Sequence, residues 1–339
     1  MDYRLKENRK ESFIKWFSWS LTYKDCDPSI WLTNYLNKRF EHNSEQRLWL
    51  CWLYGNTYQL PTAWVLFNEY PDFELATYDR IDAWNTENYH RLRYQVDTKW
   101  SKGHLPNMFK SYHEFVGDRT QREALESYLG DNECQNFDNL YKVIKDEFYK
   151  FGRYTAWFYL QHLNHTAEIP NEPPTLLLND YSGSRSHRNG MLYVAGWDDK
   201  VNQKLSEDEY QYLEDMATEV LEETKMRHPN LTFEANRFTM ETALCSFKKI
   251  FRSHHGRYLG YYLDRQSEEI QKVAADNWNG IEWDVLWQAR RESLDNRLIG
   301  RNGIDKGKFS DLIDYGNVDR FEWLYSNDVK IERGLEAFL

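Results

Sequence analysis

The stretch Ser206–Arg227, SEDEYQYLEDMATEVLEETKMR, decides the fold class. Ser206 followed three residues later by Glu209 is a capping box: the hydroxyl covers a backbone N–H that the first turn leaves open, and the carboxylate reaches back to the cap. Beyond it Tyr210, Leu213, Met216, Ala217, Val220 and Leu221 recur at spacings that line one face of a helix with apolar groups. From Ser206 to Glu223 there are eight carboxylates and no Lys or Arg. These fall on the solvated face and are assigned no chemistry.

The same signals recur on both sides. Thr120–Glu123 (TQRE) is a second capping box. In LPTAWVLFNEYPD, Pro61 suits a first helical position and Pro71 the break that follows. Further helices are predicted over Lys6–Tyr23, Ser29–Phe40, Ser44–Tyr54, Phe73–Trp84, Asn136–Lys150, Thr155–Leu163, Phe238–Arg252, Leu259–Trp278 and Trp283–Arg291. Strand signals are sparse, and Thr175–Leu178 is the best short candidate. The expected class is mainly α with little β structure. AEIPNEPP at Ala167–Pro174 is the clearest punctuation. It predicts two helical lobes, residues 1–166 and 175–300, with the site on the second, and a C-terminal extension over 301–339. A cleft between lobes is a natural place for a ligand.

A chain of 339 residues suffices for one large domain or two ordinary ones. Its 14 Trp and 24 Tyr exceed what core packing usually demands, which points to rings lining a groove or pocket. Cys26, Cys51, Cys134 and Cys245 are widely spaced without a C-x-x-C pair, which argues against a zinc ribbon or disulfide scaffold and fits a reducing compartment. The charged N-terminus MDYRLKENRKESF lacks the apolar core of a signal peptide. No apolar run approaches the roughly 20 residues of a membrane helix. The expected location is the cytoplasm, without a membrane partner. A net charge of −11 excludes broad coating of nucleic acid, which rests on Lys and Arg. The charge is uneven, however: Glu241–Arg265 holds five Lys or Arg against two acids, which permits a local basic cleft.

No P-loop, G-x-G-x-x-G, H-E-x-x-H or G-x-S-x-G motif is present, so the chain alone is not a P-loop kinase. His162 and His165 lack further ligands at recognisable spacing, and no metal site is expected. Four segments remain. In NDYSGSRSHRNGMLYVAG (Asn179–Gly196), Arg185, His187 and Arg188 lie in a Gly/Ser-rich loop before an apolar helical stretch. Open N–H groups at a helix start beside two guanidiniums can cradle phosphate or pyrophosphate. Solvated arginines on a loop are the plain alternative. In ETALCSFKKIFRSHHGRYLGYYLDR (Glu241–Arg265), helical spacing puts Glu241, Cys245, Lys248 and Lys249 near one face. This supplies a base (Glu241 or Asp264), cations for an anionic leaving group (Lys248, Lys249, Arg257, Arg265) and rings for a nucleobase (Tyr258, Tyr261, Tyr262). The plain alternative is a helix hairpin with a wet basic face. In YGNTYQLPTAWVLFNEYPD (Tyr54–Asp72), Tyr54, Tyr58 and Trp64 can face a ligand or pack the core. In FGRYTAWFYLQHL (Phe151–Leu163), Arg153 sits at a helix junction, where it can meet a phosphate or cap a helix.

The ordered strings YGNTYQLPTAW, FGRYTAWFYLQHL, SRSHRNGMLYVAG-W-DD and ETALCSFKK…GRYLGYYLDR resemble the bacteriophage amino acid:DNA transferases, also called alpha-glutamyl/putrescinyl thymine pyrophosphorylases. The helical domain of the phage 5-hydroxymethyluracil DNA kinases is a near relative. The resemblance spans roughly residues 45 to 265. It implies a DNA-glycosylase-like helical fold. GRYTA at Gly152–Ala156 resembles the close of a helix-hairpin-helix turn, although the Leu-Pro-Gly-Val-Gly opening is absent.

The implied reaction displaces pyrophosphate from 5-pyrophosphoryloxymethyl-uracil in DNA with the amine of an amino acid or polyamine. The implied partners are modified DNA, the amine and the base kinase of the pathway. No cofactor is implied beyond the substrate's own pyrophosphate, which a divalent cation can accompany. By the resemblance, Arg153, Arg185, Arg188, Lys248, Lys249, Arg257 and Arg265 meet pyrophosphate or DNA phosphate. Glu241 is the favoured base, with Asp264 and Asp180 as alternatives. Tyr58, Tyr258, Tyr261 and Tyr262 are stacking candidates. Cys245 belongs to the motif without being a nucleophile. Competing readings are a glycosylase-like protein that recognises or excises modified bases, and a non-catalytic DNA-binding subunit of a modification complex.

Overall fold

The computed structural model describes residues 3–94, 103–181, 183–251 and 259–294. Among these residues there are fourteen α-helices and no strand, so the chain is mainly α. In order they are α1 (Arg9–Thr22), α2 (Pro28–Arg39), α3 (Ser44–Thr57), α4 (Leu60–Glu69), α5 (Tyr78–Asn88), α6 (Leu105–Val116) and α7 (Gln121–Glu126). There follow α8 (Glu133–Glu147), α9 (Arg153–Ala167), α10 (Ser186–Val194), α11 (Glu207–Arg227), α12 (Arg237–Phe247), α13 (Tyr261–Ala274) and α14 (Asp284–Ser293). No helix among the described residues is long and apolar enough to cross a membrane.

The chain packs as two compact units. One is drawn from the chain up to Pro28, from Thr175–Ser267 and from Arg290 onward; the other comprises Ser29–Pro174 and Glu268–Ala289. The first unit gathers α1, α10, α11 and α12. Phe13, Trp16 and Phe17 of α1 are buried, and the Trp16 indole donates to Ser246 Oγ of α12 at 3.1 Å. Both predicted capping boxes form, at Ser206 and Thr120. The acidic face of α11 is partly employed: Glu219 and Glu223 pair with Lys10 of α1, and Arg227 pairs with Glu11. Exposed pairs of this kind contribute roughly 0–1 kcal/mol each, so they orient α1 more than they stabilise it.

The second unit is built on α3 and α9. Gly55 of α3 lies against Tyr159 of α9, where an added Cβ would stand 3.0 Å from the tyrosine Cβ. Trp49 and Trp52 stack at 5.2 Å, and Trp52 stacks on Tyr112 of α6 at 4.9 Å. Much of the tryptophan and tyrosine excess is spent in this interior. His162 is enclosed there, stacked on Tyr54 at 3.9 Å. AEIPNEPP is tied down: Asn171 donates to the carbonyls of Leu160 and Ile169, and the Glu172 N–H donates to Glu133.

Two expectations need correction. Thr175–Leu178 is not a strand: the N–H groups of Leu176 and Leu178 both donate to the carboxylate of Glu214 on α11, at 2.9 and 3.1 Å, and Leu177 is left-handed at φ 51°. A side chain thereby supplies the acceptors a neighbouring strand would have offered. Phe73–Trp84 is not one helix. A 3₁₀ turn over Phe73–Leu75 closes, Thr77 is extended, and α5 starts afresh at Tyr78. The break lets Phe73 enter the cluster of Trp49, Phe109 and Tyr112. Helix α6 was not anticipated, although its buried Leu105, Met108, Phe109, Tyr112, Phe115 and Val116 recur with helical spacing.

Candidate active site

Two of the four segments meet inside the first unit. Gly190 of α10 lies against the backbone of α12, where a Cβ would come within 2.5 Å of the Leu244 carbonyl oxygen. Only glycine permits this approach. Three residues earlier on each helix stand His187 and Glu241. His187 Nδ1 is 3.7 Å from Glu241 Oε1, and the two side chains are 0% and 2% exposed. A carboxylate and an imidazole therefore face one another out of water.

The end of α12 turns into a 3₁₀ segment, Lys248–Phe251, which redirects the lysines. Lys248 is largely buried, and its Nζ donates to Ser186 Oγ, the first residue of α10, at 2.7 Å. The ammonium is thereby held at a helix start, where open N–H groups favour anions. Lys249 is half-buried, and Arg185 is exposed just outside the helix with its guanidinium 5.3 Å from the Tyr181 ring.

Arg188 is placed differently from what its sequence context predicts. It is 1% exposed, donates to the carbonyls of Leu178 and Asp180, and lies 3.6 Å over the Tyr181 ring. Its charge orders the loop before α10 from beneath. Asp180 is half-buried and engages Arg188 through its backbone carbonyl.

Tyr261, Tyr262, Asp264 and Arg265 share the first turn of α13. The two rings meet edge to face at 5.4 Å, and Asp264 is buried. This turn is anchored by Asp25, whose carboxylate accepts the N–H groups of Gly260, Tyr262 and Leu263 at 2.9, 2.9 and 3.1 Å. Burial pushes the Asp25 carboxyl up to about 8; the three N–H donors oppose that rise and the nearby Asp264 adds to it. Its neighbour Lys24 donates to the Ser293 carbonyl at the end of α14. Adjacent side chains thus satisfy the open N–H groups at the start of α13 and a carbonyl at the end of α14.

Arg153 and Tyr58 belong to the other unit. Arg153 is enclosed at the start of α9, 5.0 Å over Trp157, and Tyr58 is a left-handed residue closing α3 with its ring 4.3 Å from Phe158. Both are packed against aromatic neighbours. Arg257 and Tyr258 lie outside the described residues. Cys245 is half-buried. Among the described residues, no group of three or more His, Cys, Asp or Glu is arranged to hold a metal ion.

Sequence reasoning missed Ser186, His187 as the partner of Glu241, Tyr181 and Asp25. The first three lie in the quoted NDYSGSRSHR string, and the signal available was their adjacency to two arginines. Asp25 carried no local signal, because the residues it holds are 235 or more positions away.

The sequence model of the family described as "Amino acid:DNA transferase" matches residues 23–256. A serinyltransferase of Salmonella phage ViI is 26% identical over 322 residues, covering 88% of this chain and 77% of that protein. No solved structure matches. The matched span contains α10, α12 and the buried His187–Glu241 pair, and covers well over half of the sequence. This chain is a transferase and belongs to the amino acid:DNA transferase family.

Proposed function

We propose that this chain replaces the pyrophosphate of a 5-pyrophosphoryloxymethyl-uracil in DNA with the amine of an amino acid or polyamine. Family membership supports an amino acid and DNA as substrates. The observation that carries the finer reading is the assembly at the start of α10: Lys248 on Ser186, with Glu241 and His187 immediately behind. Displacement at the base's methylene needs an anion-stabilising group for the departing pyrophosphate and an acceptor for the amine's proton. Lys248, Lys249, Arg185 and the open N–H groups of α10 serve the first need. Glu241 serves the second, with Asp264 and Asp180 the lesser candidates.

The step balances simply. The substrate ammonium gives one proton to the Glu241 carboxylate, and the nitrogen lone pair forms the C–N bond. The C–O bond to pyrophosphate breaks and its electron pair departs with the leaving group. The target base must leave the duplex stack, and Tyr261, Tyr262 and Arg265 at the start of α13 supply rings and charge to receive it.

The test incubates the protein with DNA bearing pyrophosphorylated 5-hydroxymethyluracil and one amine at a time. Serine comes first because of the name of the phage relative. Digestion and mass analysis of the nucleosides should show the aminated thymine and released pyrophosphate. Abasic sites in place of that product would favour base excision, and DNA binding without any product would favour a non-catalytic subunit.

A further inference from the structure

We propose that His187 is a positioning residue for this reaction, taking up from Glu241 the proton that the incoming amine surrenders. The proposal rests on the reading above in one respect, that Glu241 is the base. It starts from placement: Nδ1 stands 3.7 Å from Oε1, with neither side chain open to water. A shift of about 1 Å brings the two within hydrogen-bond reach. The helices hold that spacing, because the glycine contact at Gly190 and Leu244 falls three residues beyond each member of the pair.

Stability alone does not account for such a pair. Replacing a buried ion pair with apolar groups of similar volume is often neutral or stabilising. Buried acid–imidazole pairs beside a cationic surface are instead typical of sites that move protons. The cations on the same elements are already engaged, Arg188 of α10 with two carbonyls and Lys248 with Ser186.

In the completed step the ammonium gives a proton to Glu241, and Glu241 passes it to the imidazole. The result is an imidazolium facing a carboxylate, which places the proton one group farther from the amine while the C–N bond forms and the C–O bond breaks. The new secondary ammonium then loses its extra proton to water. His187 touches neither base nor amine; it acts through Glu241.

The test compares the wild type with His187→Asn and His187→Gln in the amine-transfer assay, measuring kcat, KM for the amine and DNA affinity. Asn keeps an N–H donor near the position of Nδ1 but cannot accept a proton. The expected result is kcat lowered by about a hundredfold or more in both variants, the scale of proton-transfer catalysis, with KM and DNA affinity within about twofold of wild type. Retention of kcat within about threefold by His187→Asn, or a loss confined to KM or DNA affinity, overturns the proposal. If either variant fails to fold, imidazole nitrogen NMR of the wild type and Glu241→Gln decides. A changed His187 protonation equilibrium supports the pair, and an unchanged one sinks it. A wild type that aminates no DNA with any amine refutes the reaction itself, and this proposal with it. That outcome is distinct from an active wild type with equally active His187 variants.

Discussion

Two helix pairs in this chain are built on the same device and filled with opposite contents. The pair α3–α9 closes on Gly55 and the pair α10–α12 on Gly190, each letting a neighbouring helix come closer than a side chain would allow. Around Gly55 the interior is rings: Trp49, Trp52, Trp157 and Tyr159 are all fully enclosed. Around Gly190 it is ionisable: His187, Arg188, Glu241 and Lys248. Aromatic burial is self-sufficient, since each such ring removes roughly 150–250 Å² from water. Buried charge brings no comparable gain, which makes such a cluster a candidate for chemistry. On the function proposed above, the contrast separates a frame from a working part.

The largest effect should come from Glu241→Gln. It keeps the volume and removes only the proton acceptor, so kcat for amine transfer should fall by about 10²–10⁴, while the thermal midpoint moves by a few degrees at most. A large loss of stability with modest loss of activity would erase the distinction between the two pairs.

The glycines sharpen it next. In Gly190→Ala the new methyl meets a backbone carbonyl, which can yield only by parting the helices, and a cost of about 3 kcal/mol or more is expected. In Gly55→Ala the methyl meets the side chain of Tyr159, which can give by a few tenths of an ångström. About 1 kcal/mol is expected there, in keeping with small overpacking changes. Urea unfolding of the two variants measures the difference, and equal losses would show that the two contacts are equivalent.

The last effect is one of sign, read with pH. Asp25, raised to about 8 by burial, holds a proton in the folded chain that the unfolded chain has already lost above about 4. Its contribution is therefore present in acid and declines as pH rises from about 4 to about 8. His42, in the other unit, is lowered to about 4 by burial and by Arg47. The unfolded chain takes up that proton below about 6.5, so this contribution declines as pH falls from there toward 4. Hydrogen exchange corrected for intrinsic rates should show amides of Gly260, Tyr262 and Leu263 loosening toward higher pH and those around His42 loosening toward lower pH. Parallel behaviour would contradict both assignments.

The sequence was most legible where the physics is local. SEDE and TQRE announced their helices because a capping box needs only four consecutive residues. Lys6–Tyr23 and Ser44–Tyr54 matched α1 and α3 because one apolar face sufficed to mark each. Reading failed where a distant group supplied the partner. Glu214 turned Thr175–Leu178 from strand to loop, and the Trp49 cluster broke the helix expected from Phe73. The site followed the same rule. SRSHR and ETALCSFKK are separate strings in the sequence, and the contact at Gly190 is what brings them together. Which arginine faces outward depends on where Leu178 and Asp180 put their carbonyls, and no window around Arg188 states that.

The bond from Trp16 to Ser246 spans 230 positions and carries a consequence for the newborn chain. At synthesis rates of roughly 5–20 residues per second, on the order of 10–50 s separate the emergence of α1 from that of its partner α12. During that interval Phe13 and Trp16 lack Phe247, the α12 ring on which both close, while α3 and α9 of the other unit are already made. Order of manufacture and order of assembly diverge here: α1 is made well before the helix that completes its cover. That delay leaves the apolar face of α1 open to mispairing until α12 is made.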